Sequence, residues 1–121
     1  MRHGKSGKKL SRERDQRRAL KKTLLTSLII NEKVSTTEAK AKEMKRLIDT
    51  IITKAKSGKN NPDKRLAVNR ILPSHIAPVA VKKITGDFLN RFEGRMSGYT
   101  RVVKTGARKS DGARMAIIEF V

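Results

Sequence analysis

Ten lysines and arginines fall within the first 22 residues of the chain, against two acids, Glu13 and Asp15. Guanidinium groups grip phosphate oxygens two at a time, and ammonium groups act as mobile point charges, so this density suits a polyanion. The rest of the chain leans the same way. Its 121 residues hold 30 Lys+Arg and 11 Asp+Glu, a net charge of +19. Charge of that size opposes a compact state unless a polyanion neutralises it, and nucleic acid is the partner class it points to. A second cluster, Arg95, Arg101, Lys104, Arg108, Lys109 and Arg114, lies near the C-terminus. It reads either as a second contact with the same partner or as a solvated face.

Other chemistries find little support. There is no cysteine, which removes disulfides, zinc fingers and thiol nucleophiles, and favours the cytoplasm. His3 and His75 are the only histidines, too far apart in sequence and too few to specify a metal site. His3 sits among basic residues and suits phosphate or base contact; His75 follows Pro73-Ser74 and suits an exposed loop or helix start. Gly4-Lys5-Ser6 lacks the upstream glycine and strand of a phosphate-binding loop. No Ser/His/Asp set and no dinucleotide fingerprint is present, so neither an enzyme, a cofactor nor a small-molecule substrate is expected. Glu38, Glu43 and Asp49 stand among Lys42, Lys45 and Arg46, where intrahelical ion pairs account for them. The longest apolar stretch, residues 23–31, is too short to span a bilayer, and no membrane insertion is expected. With four aromatics, Phe88, Phe92, Tyr99 and Phe120, the chain is poor in platforms for stacking bases. Recognition of folded RNA through phosphate and shape is favoured over single-strand readout.

The elements that must position these groups follow from periodicity. Residues 1–10 are expected to form a basic arm too polar to order itself by burial, and residues 11–121 a single globular domain. A helix is expected over 11–30 with Ser11 as N-cap and Glu13 and Asp15 at the positive end of its dipole. Its charge is graded along the axis: Arg12, Arg14, Arg17, Arg18, Lys21 and Lys22 come first, then Leu24, Leu25, Leu28, Ile29 and Ile30. One end wants a polyanion and the other a core. Residues 33–37 read as a β-branched strand, and Thr37 suits the cap of a helix over 38–56 whose Met44, Leu47, Ile48, Ile51, Ile52 and Ala55 recur at three- and four-residue steps. Lys42, Lys45, Arg46, Asp49 and Lys56 belong to its outer face, and Gly58 suits its C-terminal cap. Asn61-Pro62-Asp63 starts a short helix ending before Pro73. Another starts near Pro78 with Val81, Ile84 and Phe88 on one face. Residues 99–105 and 115–121 form a hairpin closed by the 106–112 loop, with 33–37 available as a third strand. The two helices around Pro73 raise a DNA-binding nucleoid or regulatory protein as the alternative. The second helix opens on Pro78, Val79, Ala80 and Val81, which cannot read base edges, and ordinary packing accounts for the pair.

Four segments carry a resemblance. Met1-Arg2-His3-Gly4-Lys5-Ser6-Gly7-Lys8-Lys9-Leu10, the junction from Glu32 to Glu43, Gly98-Tyr99-Thr100-Arg101-Val102-Val103-Lys104, and the closing run from Met115 to Val121 together resemble the seventeenth protein of the bacterial large ribosomal subunit, in order and over essentially the whole chain. The resemblance implies an α/β (α+β) fold, a small mixed three-stranded sheet packed against about four helices, with a basic N-terminal arm. It implies a structural, non-catalytic role on the cytoplasmic ribosome, with large-subunit ribosomal RNA and neighbouring large-subunit proteins as partners. The family's N-terminal RNA contacts carry over to Arg2, His3, Lys5, Lys8, Lys9, Arg12 and Arg17. Charge and position extend the RNA-binding set to Arg14, Arg18, Lys21, Arg95, Arg101, Arg108 and Lys109.

Overall fold

A computed structural model describes residues 10–121. The expected arm up to Lys9, with Arg2, His3, Lys5, Lys8, Lys9 and the Gly4-Lys5-Ser6 triplet, lies outside the described residues.

The first helix, α1, spans Arg14–Asn31 and begins later than expected. Leu10 and Ser11 both take positive φ, 53° and 55°, a conformation incompatible with the extended backbone of an N-cap. Glu13 occupies that position instead, without a side-chain cap, and Asp15 lies in the first turn. The helix stops where Glu32 turns left-handed, at φ 65°, and donates its N–H to the Leu28 carbonyl. Strand β1 (Lys33–Thr37) follows at once, with the expected bounds. Helix α2 (Glu38–Asn60) begins directly after it; Thr37 has the extended backbone of an N-cap, but its side chain makes no capping bond.

Gly58 does not end α2. It lies buried inside the helix, which runs on to Asn60. A Cβ there would sit 3.0–3.2 Å from the side-chain carbons of Val68. The glycine serves a close approach between helices rather than a left-handed cap. Val68 belongs to α3 (Pro62–Ile71), which starts as the sequence predicts: the Asn61 side chain accepts the Asp63 N–H at 3.1 Å and Pro62 opens the first turn. A 3-10 turn, Leu72–Ser74, leads to α4 (Pro78–Ile84). Phe88 is not on α4. It belongs to a second 3-10 turn, Asp87–Phe92, beyond the break at Gly86.

Strands β2 (Thr100–Ala107) and β3 (Arg114–Phe120) form the hairpin. Strand β2 takes in Gly106 and Ala107, which the sequence reading placed in the loop. A bulge between Lys104 and Gly106 absorbs the extra residue, Thr105, with Gly106 at φ 101°. The sheet order is β1-β3-β2. Both pairings are antiparallel, so the three-stranded sheet is antiparallel throughout rather than mixed.

Alternation on β3 turns Ala116, Ile118 and Phe120 inward. They join Met44, Ile48 and Ile52 of α2 and Leu25, Leu28 and Ile29 of α1 in one core. The aromatics are spent there. Phe92 meets Tyr99 edge-on at 5.4 Å, and Phe88 meets Phe92 and Phe120 at 5.4 and 5.0 Å. Phe92, Tyr99 and Phe120 are buried and Phe88 half-buried. Such edge-to-face pairs stabilise a core by about 0.5–1.5 kcal/mol each beyond burial, and they leave no exposed ring on which a base could stack.

Candidate nucleic-acid interface

The graded helix divides its cations by turn. Arg14, Arg18 and Lys22 stand four residues apart and share one face of α1. All three are exposed, and none forms an ion pair among the described residues. Arg12 and Arg17 brace the entry turn. Arg12 Nη1 donates to the Leu10 carbonyl at 2.7 Å, and Arg17 Nη1 to the Arg12 carbonyl at 3.3 Å. Each guanidinium has five N–H donors, so bracing leaves both able to meet a phosphate.

Lys21 is different. Its Nζ lies 3.3 Å from Glu43 Oε1, and Arg46 Nη2 reaches the same oxygen at 2.8 Å. Glu43 is buried. Burial pushes its carboxyl up, but hydrogen bonds from Arg46 and Lys21 outweigh that and hold it below the usual carboxylate range. Lys21 therefore fastens α1 to α2.

The second cluster is also divided. Arg101 Nε donates to Glu119 Oε1 at 2.8 Å, with Lys33 on the other carboxylate oxygen at 3.8 Å. Arg108 forks Asp111 at 2.9 and 2.5 Å within the hairpin turn. That fork brings the Asp111 carboxyl down to about 2 and raises the Arg108 guanidinium. Lys104 lies 3.6 Å from Glu38. Lys109 and Arg114 are exposed and form no ion pair among the described residues. Arg95 lies before β2, off the hairpin. Its Nη1 donates to the Gly98 carbonyl at 3.3 Å.

Two assignments on α2 change. Lys56 turns inward instead of facing out: its Nζ donates to the carbonyls of Phe92, at 3.0 Å, and Arg95, and sits 5.3 Å from the Tyr99 ring centre. Asp49 forms no ion pair among the described residues; it accepts the Tyr99 N–H at 3.3 Å. Glu38 and Glu43 do pair within the helix, with Lys42 at 2.7 Å and Arg46 at 2.8 Å. Sequence reasoning also passed over Lys64, Arg65 and Arg70 of α3, which are exposed and form no ion pair among the described residues. Their signal was available, because the ten residues Pro62–Ile71 hold three cations and one acid, Asp63. Among the described residues no group of three potential ligands could hold a metal, and no helix is long and apolar enough to cross a membrane.

The family model described as ribosomal protein L17 matches residues 20–121. The chain is 45% identical to a "Large ribosomal subunit protein bL17" of Shouchella clausii, over 93% of this chain and 97% of the relative. It is 41% identical to the protein of that name from Staphylococcus carnosus, over 94% and 98%. For the Sorangium cellulosum protein the identity is 37%, covering all of this chain and 83% of the relative. A match over nearly the whole length, on a structure whose exposed α1 face and hairpin are basic, places the chain in the ribosomal protein L17 family.

Proposed function

We propose that this chain is a structural constituent of the large ribosomal subunit that binds and stabilises folded large-subunit ribosomal RNA by neutralising its phosphates. The observation that carries this reading is family membership along nearly the whole chain. The partition of cations supports the mechanism. Arg14, Arg18 and Lys22 face outward from α1, with Arg12 and Arg17 braced beside them. Arg2, His3, Lys5, Lys8 and Lys9, of a proposed arm over residues 1–10 ahead of a single domain over 11–121, add their charge to the RNA-binding set. Arg95, Arg101, Arg108, Lys109 and Arg114 form a second contact. Lys21, expected in the same set, is joined to the buried Glu43, and we read it as fastening α1 to α2 rather than as a contact. Neighbouring large-subunit proteins are further partners, and the protein acts in the cytoplasm, on the ribosome, in assembly and translation. It catalyses no reaction, in keeping with its family. The comparisons give no support to the DNA-binding alternative.

Neutralised phosphates release condensed counterions, so affinity for the RNA should fall steeply with salt. The test is co-sedimentation with large subunits through gradients of rising salt, with duplex DNA as competitor in parallel binding assays. Retention on large subunits, and preference for ribosomal RNA over DNA, are expected. A flat salt response, or equal binding to DNA, would sink the mechanism.

A further inference from the structure

A small depression of about 210 Å³ opens where α1 meets the 3-10 turn before α4. Leu25 and Leu47 form its floor, and Arg18, Lys22 and His75 its rim. Lys54 stands two turns beyond Leu47 on the same face of α2. Arg18, Lys22 and Lys54 form no ion pair among the described residues. Lys21 also reaches the depression, but its ammonium is held by Glu43, which Arg46 also holds. Arg18 and Lys22 of α1 line the spot, Lys54 of α2 lies close enough for its charge to act on His75, and that exposed histidine completes the ring.

We infer that Arg18, Lys22, Lys54 and His75 form a seat for one phosphodiester of the bound RNA. The proposal rests on the RNA-binding reading above and deepens it. The depression is below the size of pockets that enclose a small-molecule ligand, about 300–1,000 Å³, which suits a phosphate on a strand passing across it. Lys54 comes from α2 and His75 caps the end of the 3-10 turn, so the seat extends the α1 face across the junction of three elements.

His75 gives the seat a chemical signature. Partial burial holds its imidazole below the ordinary histidine range, and the charges of Lys54 and Arg18 add to that. In the free protein the ring is therefore neutral near pH 7. A phosphate seated among these groups reverses the local field and favours the imidazolium. Binding should then take up a proton, and affinity should rise as pH falls.

The experiment uses the full chain carrying His3→Gln, so that His75 is the only histidine, and in-vitro-transcribed large-subunit ribosomal RNA as the probe. Affinity is measured at pH 5.5 and pH 8 at fixed ionic strength. An imidazole raised by one unit on binding gives about a tenfold tighter complex at the lower pH. Adding His75→Gln should abolish that step, and Lys54→Gln should lower the salt slope by about one contact. If the His3→Gln chain shows a steep salt dependence but no pH step, or a step that survives His75→Gln, the seat is wrong while the RNA-binding reading stands. If the unaltered chain shows a flat salt response, both fall together.

Discussion

Lys21→Gln and Arg18→Gln, three residues apart on α1, should separate stability from RNA binding. Breaking a fully buried ion pair by removing one partner costs about 3–5 kcal/mol. Two features reduce that figure for Lys21. Its side chain is 24% exposed, and Glu43 keeps Arg46 at 2.8 Å after the lysine is gone. Discounting for solvent screening and the surviving partner leaves about 1–2 kcal/mol. With a urea slope of about 1–3 kcal/mol/M, the unfolding midpoint should fall by roughly 0.3–2 M. Arg18 is exposed and unpaired among the described residues, so its replacement should leave the midpoint nearly unchanged, within about 0.5 kcal/mol. The RNA assay should reverse the order. Arg18→Gln removes a phosphate contact and should reduce the slope of log affinity against log salt by about one, whereas Lys21→Gln should leave that slope intact. A Lys21→Gln protein of unchanged stability whose salt slope drops like that of Arg18→Gln would refute the division of α1 into a fastening and a binding face.

Gly58→Ala gains about 1 kcal/mol of helix propensity but forces a methyl to 3.0–3.2 Å from Val68, an overpacking that costs about 1–3 kcal/mol. A net loss near 1 kcal/mol is expected, and it should be largely relieved in a Val68→Ala background, as a double-mutant cycle in urea would show; a stabilised Gly58→Ala protein would mean that α3 does not approach α2 so closely. Acid should weaken the fold through Glu43, Glu38 and Glu119, whose carboxyls are all held below the ordinary range. A folded-state value below the unfolded one contributes stability that is complete above the unfolded value and is lost as pH falls through the folded one. The urea midpoint should therefore drop between about pH 5 and pH 3, and drop less in Glu43→Gln than in the unaltered chain.

What could be read from the sequence was what local rules govern. The bounds of β1, the Asn61-Pro62-Asp63 start of α3 and the hairpin rest on residue types a few positions apart. The misread boundaries turn on features that residue types do not carry. Gly58 looks like a cap until Val68 of the next helix is seen against it. Ser11 looks like an N-cap until its left-handed backbone is seen. The candidate interface was legible as charge and position but not as a partition. Lys21 and Arg18 are equivalent on paper, and only the fold brings Glu43 to one and His75 near the other. Lys56 looks like an outward lysine because its partners are backbone carbonyls 36 and 39 residues away.

The eleven acids of the chain bear on how a +19 protein stays compact before it meets RNA. Four of them hold two cations each, and each joins separate elements. Glu43 joins Lys21 of α1 to Arg46 of α2. Glu119 of β3 joins Lys33 of β1 to Arg101 of β2. Glu38 joins Lys42 of α2 to Lys104 of β2. Glu32, at the end of α1, joins Lys83 of α4 to Arg91 of the following 3-10 turn. The exposed members of such pairs add little each in water. Their placement matters more than their strength, because each puts a negative charge where two elements would otherwise bring cations together. The cations left unpaired among the described residues on α1, α3 and the hairpin, such as Arg14, Arg65 and Lys109, are exposed. These four acids are thus spent on holding elements together, and exposed positive charge is left on the surface where a polyanion can reach it.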